Sequence, residues 1–201
     1  MPNVQPASLS GLWILLQQML IGIGMGFAAK IVFTAFDMAG EFIGAQMGLG
    51  FATFYDPLSS AQTPVVTEFI GLLALLLFLS LNGHLLYLAT LAQSFSAIPV
   101  SATPLGAASW LNLAELGSKI FSAGLLIALP ILVALMITNV ALAVLTRAAP
   151  QLNLFALGFP LMLLGGFFAL AISLGYLASP MQDIFEFALS AMLGFAVPAA
   201  R

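Results

Sequence analysis

The sequence predicts an all-α integral membrane protein built of long kinked helices and helical hairpins. Three observations carry the prediction. Of the 201 residues 62% are hydrophobic and only 5% are charged, whereas soluble domains run at about 45–50% apolar and about 25% charged. The mean hydropathy is +1.16. Charge is absent from residues 1–29, 69–114, 120–146 and 148–182, and each interval exceeds the ~20 residues that a helix needs to cross ~30 Å of hydrocarbon.

The first helical region spans 9–47, opening near Ser8 or Ser10 and reading as one long helix or two joined ones. Small residues recur along it at four-residue spacing, which lets a neighbouring helix approach closely. Gly22 and Gly26 form one pair, and Gly40, Gly44 and Gly48 form a triple. The pair also fits the general abundance of glycine in membrane helices. The second region, 65–95, carries Asn82-Gly83-His84 near its middle. From Phe69 to Leu81 the apolar run is ~20 Å long at ~1.5 Å per residue, too short to span alone. Either Asn-Gly bends a hairpin there or a full span carries a polar waist. The third region, 107–147, contains Pro130, which is expected to kink it. The fourth runs from about 154 to 178, and a separate short amphipathic tail is expected from Pro180 onward. The link "AIPVSATPLGAAS", 97–109, is the best boundary between two halves.

The stretch between the first two regions, "GLGFATFYDPLSS", breaks the pattern. Asp56 precedes Pro57 and Thr63 precedes Pro64, and a residue before proline is pushed toward extended geometry, so residues 48–64 are expected to be non-helical. They nevertheless stay greasy through Phe51, Phe54 and Tyr55. Irregular backbone at membrane depth is tolerated only where protein buries it or where it lines a water-filled cavity. Such a loop would hang inside a passage, its rings obstructing the lumen while Gly48, Gly50 and the Asp56-Pro57 bend act as hinge. The competing reading is an interfacial loop whose aromatics belong to a membrane belt.

Ionisable groups are few. Asp37 and Glu41, spaced i, i+4, share one helix face with Lys30 two turns earlier on roughly the same side. Two carboxylates ~6 Å apart in low dielectric would share or relay a proton; alternatively Lys30 marks a helix end at the interface and the acids face water. His84, the single histidine, fits packing better than a proton or metal site. Arg147, with Pro150 just beyond, reads as the cationic end of a helix. Glu68, Glu115, Lys119, Asp183 and Glu186 sit at helix borders and need no special function.

Several function classes drop out. There is no cysteine, which removes disulfides, thiolate metal sites and cysteine nucleophiles. No basic patch speaks for nucleic acid. The start "MPNVQPASLSG" has no positive n-region, so a removable signal peptide is not expected. Lys30, Lys119, Arg147 and Arg201 are the only basic residues, too few for a positive-inside bias to orient the chain. HExxH, GxSxG and P-loop patterns are absent, and a membrane aspartyl protease would need a second aspartate on a partner helix. The expectation is a protein without catalysis, cofactor or metal. A proton-coupled transporter using Lys30, Asp37 and Glu41, or a scaffold that nucleates other subunits, remains as a rival class.

Three segments carry a family resemblance. "DMAGEFIGAQMGLGFATFYDP" (37–57) with "SSAQTPV" after it, "LLALLLFLSLNGH" (72–84) and "RAAPQLNLFALGFPL" (147–161) resemble the FliR/SctT family of type III export-apparatus proteins. The NGH and AQTP contexts resemble its flagellar branch more than the virulence injectisome branch. The resemblance implies a subunit of a hetero-oligomeric helical export gate, built with FliP-like and FliQ-like membrane subunits in the bacterial inner membrane at the flagellar basal body, that conducts unfolded flagellar proteins. It implies that residues 48–64 form a plug, that 1–100 is a FliP-like half and 101–201 a FliQ-like helical hairpin, and that much of the apolar surface packs on partner subunits. Family members carry a further apolar segment ahead of the matching region, so the chain is expected to lack the usual N-terminal segment.

Overall fold

The computed structural model describes residues 8–51, 64–100, 106–149 and 154–196. They form five α-helices: α1 (Leu9–Gln46), α2 (Val65–Ser80), α3 (Gly83–Ala97), α4 (Ala107–Ala148) and α5 (Leu154–Ala196), with a short 3-10 turn at Leu49–Phe51 after α1. There is no strand among the described residues. Three stretches, Leu9–Gln46, Ser109–Ala148 and Gly158–Met192, are long and apolar enough to cross a membrane. The protein is an all-α integral membrane protein.

Helix α1 starts where Ser8 caps it. Its Oγ accepts from the Gly11 N–H at 3.1 Å and its carbonyl accepts from Leu12 N at 3.0 Å, which satisfies a donor that the first helical turn leaves open. The helix then runs unbroken for 38 residues. Of the two readings of the second region, the bend is observed. Asn82 adopts the left-handed conformation, φ 55° and ψ 28°, and α2 and α3 diverge by 68° across it. Asparagine is one of the few residues that visits this region readily. Gly83 follows because a Cβ there would land on the Phe78 ring and 2.9 Å from the Phe78 carbonyl oxygen.

Helix α4 carries Pro130 inside it. At Pro180 the structure departs from expectation. Helix α5 continues through Pro160 and Pro180 as 43 residues, so the separate tail from Pro180 is not formed. A proline costs one backbone donor and crowds the preceding turn. Here the buried face runs straight past it, with Leu177 and Met181 on either side 2% and 3% exposed, and packing holds the helix together where propensity alone would end it.

The chain forms two compact units. The first comprises residues 1–34, 76–120 and 182–201, and the second comprises 35–75 and 121–181. In the first unit Ile21, Met25, Ala28 and Met192 form a core against which Tyr87, Leu91, Leu113 and Leu116 pack. Beside it stand three phenylalanines from three helices. Phe33 and Phe78 lie 5.5 Å apart edge to face, Phe33 and Phe185 5.8 Å, and Phe78 and Phe185 5.3 Å. Such geometry adds roughly 0.5–1.5 kcal/mol per pair beyond area burial.

The second unit buries Phe36, Ala39 and Ile43 of α1, Met47 just after it, Ile70 and Ala74 of α2, and Ile127, Ile131 and Leu135 of α4. Its helices approach main chain to main chain at two glycines. A Cβ on Gly40 would strike the Thr67 backbone, and one on Gly124 would come within 2.9 Å of both the Ala35 carbonyl oxygen and Met38 Cβ. Membrane helices associate through such close packing because lipid supplies no hydrophobic drive. The outer faces of α4 and α5 are greasy, with Leu126, Ile137, Leu164, Phe168 and Ile172 well exposed. A patch this large calls for lipid or another protein.

Candidate functional site

The neck of the segment 48–64 lies in the second unit and is built from both of its ends. Helix α1 ends at Gln46, and its last turn closes through Met47 N to Ile43 O at 2.9 Å and Gly48 N to Ala45 O at 3.1 Å. Gly48 then takes φ 80°, the left-handed stop that a glycine supplies without a Cβ penalty. The chain makes the 3-10 turn Leu49–Phe51. It re-enters the fold at Pro64, whose carbonyl accepts from Glu68 N at 3.0 Å, as a residue fixed near helical φ suits a helix start.

These two ends meet. The Cβ direction of Gly44 points at Leu49 Cδ1 and Val66 Cβ, both 3.9 Å away in ordinary contact. Met47 is fully buried, and Gly166 of α5 makes room for it: a Cβ there would come within 2.5 Å of Met47 Cγ and 2.7 Å of its sulfur. Leu49, just after α1, and Val66, at the start of α2, thus both lie beside Gly44. Gly48 and Gly50 stand at this neck. Phe54, Tyr55, Asp56 and Pro57 lie outside the described residues, as does the side chain of Phe51.

Below the neck, α1 and α2 run antiparallel, with one side-chain hydrogen bond and one close approach one turn away. Thr67 Oγ1 donates to Glu41 Oε1 at 3.4 Å, and Asp37 Oδ1 lies 3.7 Å from the Cβ direction of Gly71. Both carboxylates therefore turn toward the same face of α2, one helical turn apart on each helix. Both acids stay exposed on the surface of the chain, so each keeps access to whatever covers that face.

The remaining ionisable residues are dispersed. Lys30 belongs to the first unit, and Asp37 and Glu41 belong to the second. His84 is exposed in the first turn of α3, and Arg147 is exposed in the last turn of α4, where a cation meets the negative end of the helix dipole. Among the described residues no group of three or more His, Asp or Glu side chains could hold a metal. The two glycine pairs also differ. Gly40 makes the tight contact with Thr67, whereas a Cβ on Gly22 or Gly26 would meet nothing within 4 Å. Among the described residues no close approach is made at Gly22 or Gly26.

Sequence reasoning missed Thr67, Gly71, Gly124 and Gly166. The last stands in a Gly165-Gly166 pair amid bulky residues, a signal for close packing that was readable. Thr67 and Gly71 carry no signal until the register of α2 on α1 is known.

A family model described as bacterial export proteins, family 1, matches residues 1–188. The flagellar biosynthetic protein FliR of Pectobacterium carotovorum subsp. carotovorum is 44% identical over 179 residues, 89% of this chain and 69% of that protein. The FliR of Escherichia coli (strain K12) is 44% identical over 184 residues, 92% of this chain and 70% of its own length. The FliR of Bacillus subtilis (strain 168) is 32% identical over 181 residues, 88% of the chain and 69% of that relative.

Proposed function

The chain belongs to the bacterial export proteins of family 1, and from that premise we propose that it is a subunit of the flagellar type III protein export gate. Membership of the flagellar export apparatus follows from the family and from relatives named as flagellar biosynthetic proteins. The finer reading is that it joins FliP-like and FliQ-like subunits in the inner membrane at the basal body to form the channel for unfolded flagellar proteins. In that reading residues 1–100 act as the FliP-like half and 101–201 as the FliQ-like hairpin. Its role is structural and gating, without chemistry of its own.

The observation that carries the gating role is the neck. Leu49 and Val66, from the two ends of 48–64, both lie against Gly44, and on this reading Phe51, Phe54 and Tyr55 are the obstructing side chains of the segment that the neck carries. Gly48 supplies the turn at one end. The aromatic rings obstruct the conduit and the glycines let them move aside. Exposed apolar faces on α4 and α5 suit burial against the partner subunits, where hydrophobicity means contact with protein as much as with lipid.

The reading is tested by affinity purification of the tagged full chain from mild detergent, followed by mass spectrometry. Recovery of two further small hydrophobic helical proteins, in fixed ratio to the chain, is the expected result. A chain that purifies alone, and that by itself drives solute uptake in reconstituted vesicles, contradicts it.

A further inference from the structure

Helix α5 meets both ends of the segment 48–64. At the departing end Met47 is fully buried, between the closing hydrogen bond of α1, Met47 N to Ile43 O at 2.9 Å, and the left-handed turn of Gly48 at φ 80°. Its side chain lies across Gly166 of α5. A Cβ on Gly166 would stand 2.5 Å from Met47 Cγ, 2.7 Å from its sulfur and 2.6 Å from Cε. At the returning end Val65, Val66 and Phe69 of α2 border an apolar hollow of about 210 Å³ together with Phe167, Leu170 and Leu174 of α5. All of these residues belong to the second unit.

The form of the Met47 contact decides what it can do. Methionine adapts to its surroundings because its three rotatable bonds let the thioether move, but here Cγ, the first atom beyond Cβ, is the nearest of the three. Turning the thioether aside does not make room for a methyl group on Gly166. The methyl displaces Met47 at its root, inside close packing that transmits the strain. Gly48 is the next residue, so a shift at Met47 moves the point from which 48–64 departs. The neighbouring Gly165 is different, since a Cβ there meets only Thr138 Cγ2 at 3.9 Å, an ordinary contact.

We propose that Gly166 and Met47 are positioning residues of the gate. Helix α5 holds Met47 in a seat floored by Gly166, and this seat fixes where 48–64 leaves α1. The consequence for the conduit rests on the gating role of 48–64; the seat itself rests on Met47 and Gly166 alone.

The test uses the full chain in its assembled complex. The chain has no cysteine, so Leu49→Cys, half-buried beside Gly44, reports the neck through its rate of maleimide labelling, read on this chain by mass spectrometry. Gly166→Ala raises that rate about fivefold, the lower end of the equilibrium shift from one overpacked methyl, and raises solute leak in cells with the complex intact. Gly165→Ala changes neither. Gly124→Ala crowds α1 at the Ala35 carbonyl, about three turns before Met47, and lowers the unfolding temperature without raising labelling or leak. Met47→Ala raises both, and combined with Gly166→Ala it lies closer to wild type than either single variant, because the added methyl fills vacated space. A labelling rate unchanged by Gly166→Ala overturns the proposal. So does an equal rise in Gly124→Ala, which marks general loosening. If Phe54→Gly with Tyr55→Gly raises the leak while Gly166→Ala raises only the labelling, the positioning role is overturned. If neither raises the leak, the gating role fails and the seat stands on the labelling.

Discussion

Gly40 of α1 lies against the backbone of Thr67 of α2 so closely that a Cβ added to it would stand 2.8 Å from the Thr67 nitrogen and 2.9 Å from its hydroxyl. Backbone cannot rotate away as a flexible side chain can, so the two helices must separate to admit a methyl group. Gly40→Ala is expected to destabilise by about 1–3 kcal/mol, the usual cost of overpacking. Gly22→Ala, facing open space, is expected to be neutral or to gain up to ~1 kcal/mol of helix propensity. Thermal unfolding of the two variants in the same detergent checks the contrast.

The bend at Asn82 gives a second expectation. Its φ of 55° is free of penalty for glycine and costs about 1–2 kcal/mol for residues with an ordinary Cβ. Asn82→Gly therefore unfolds near the wild-type temperature, and Asn82→Val unfolds earlier. Gly83→Ala is worse than either substitution, because its methyl would displace the Phe78 ring.

The Thr67 to Glu41 hydrogen bond is long, at 3.4 Å, and Glu41 is exposed. Water competes for its carboxylate, so the bond contributes less than the ~0.5–1.5 kcal/mol of a well-made one. Thr67→Val keeps the shape of the side chain that packs at Gly40, and its unfolding temperature stays close to wild type. A large drop would mean that the hydrogen bond, more than the close approach of the backbones, holds α1 to α2.

Phe185 is 7% exposed and touches both Phe33 and Phe78. Phe185→Ala removes one edge contact and one tilted ring contact and opens a hollow, at an expected loss of about 3–5 kcal/mol. Phe185→Leu refills part of the space and recovers part of the loss. Chemical unfolding followed by tryptophan fluorescence, with Trp13 and Trp110 as reporters, reads the order wild type, Leu, Ala.

Much of this fold is written along the chain in one dimension. Long charge-free stretches announce α1, α4 and α5, because only an apolar surface leaves helices of that length without charges. Ser8 and Gly48 mark the ends of α1 through the local chemistry of a cap and a left-handed stop. Asn82-Gly83 left two readings open, since the same dipeptide permits a bend and merely weakens a span; the 68° divergence depends on Phe78 filling the place of a missing side chain. Pro180 misleads because its local preference is overruled by the buried Leu177 and Met181 beside it. The placement of Asp37 and Glu41 on Gly71 and Thr67 had only its α1 half legible. Its other half requires the register of two helices separated by the loop, a tertiary fact that no local periodicity encodes.

The gating role proposed for 48–64 is closure of a conduit, and its most direct measurement is leakage through the assembled gate. Cells carrying the complex with Phe54→Gly and Tyr55→Gly are compared with wild type for entry of ions and a small solute, with assembly verified by co-purification of the partner subunits. The account predicts a clear rise in leak with the complex intact. An intact complex that leaks no more than wild type contradicts it.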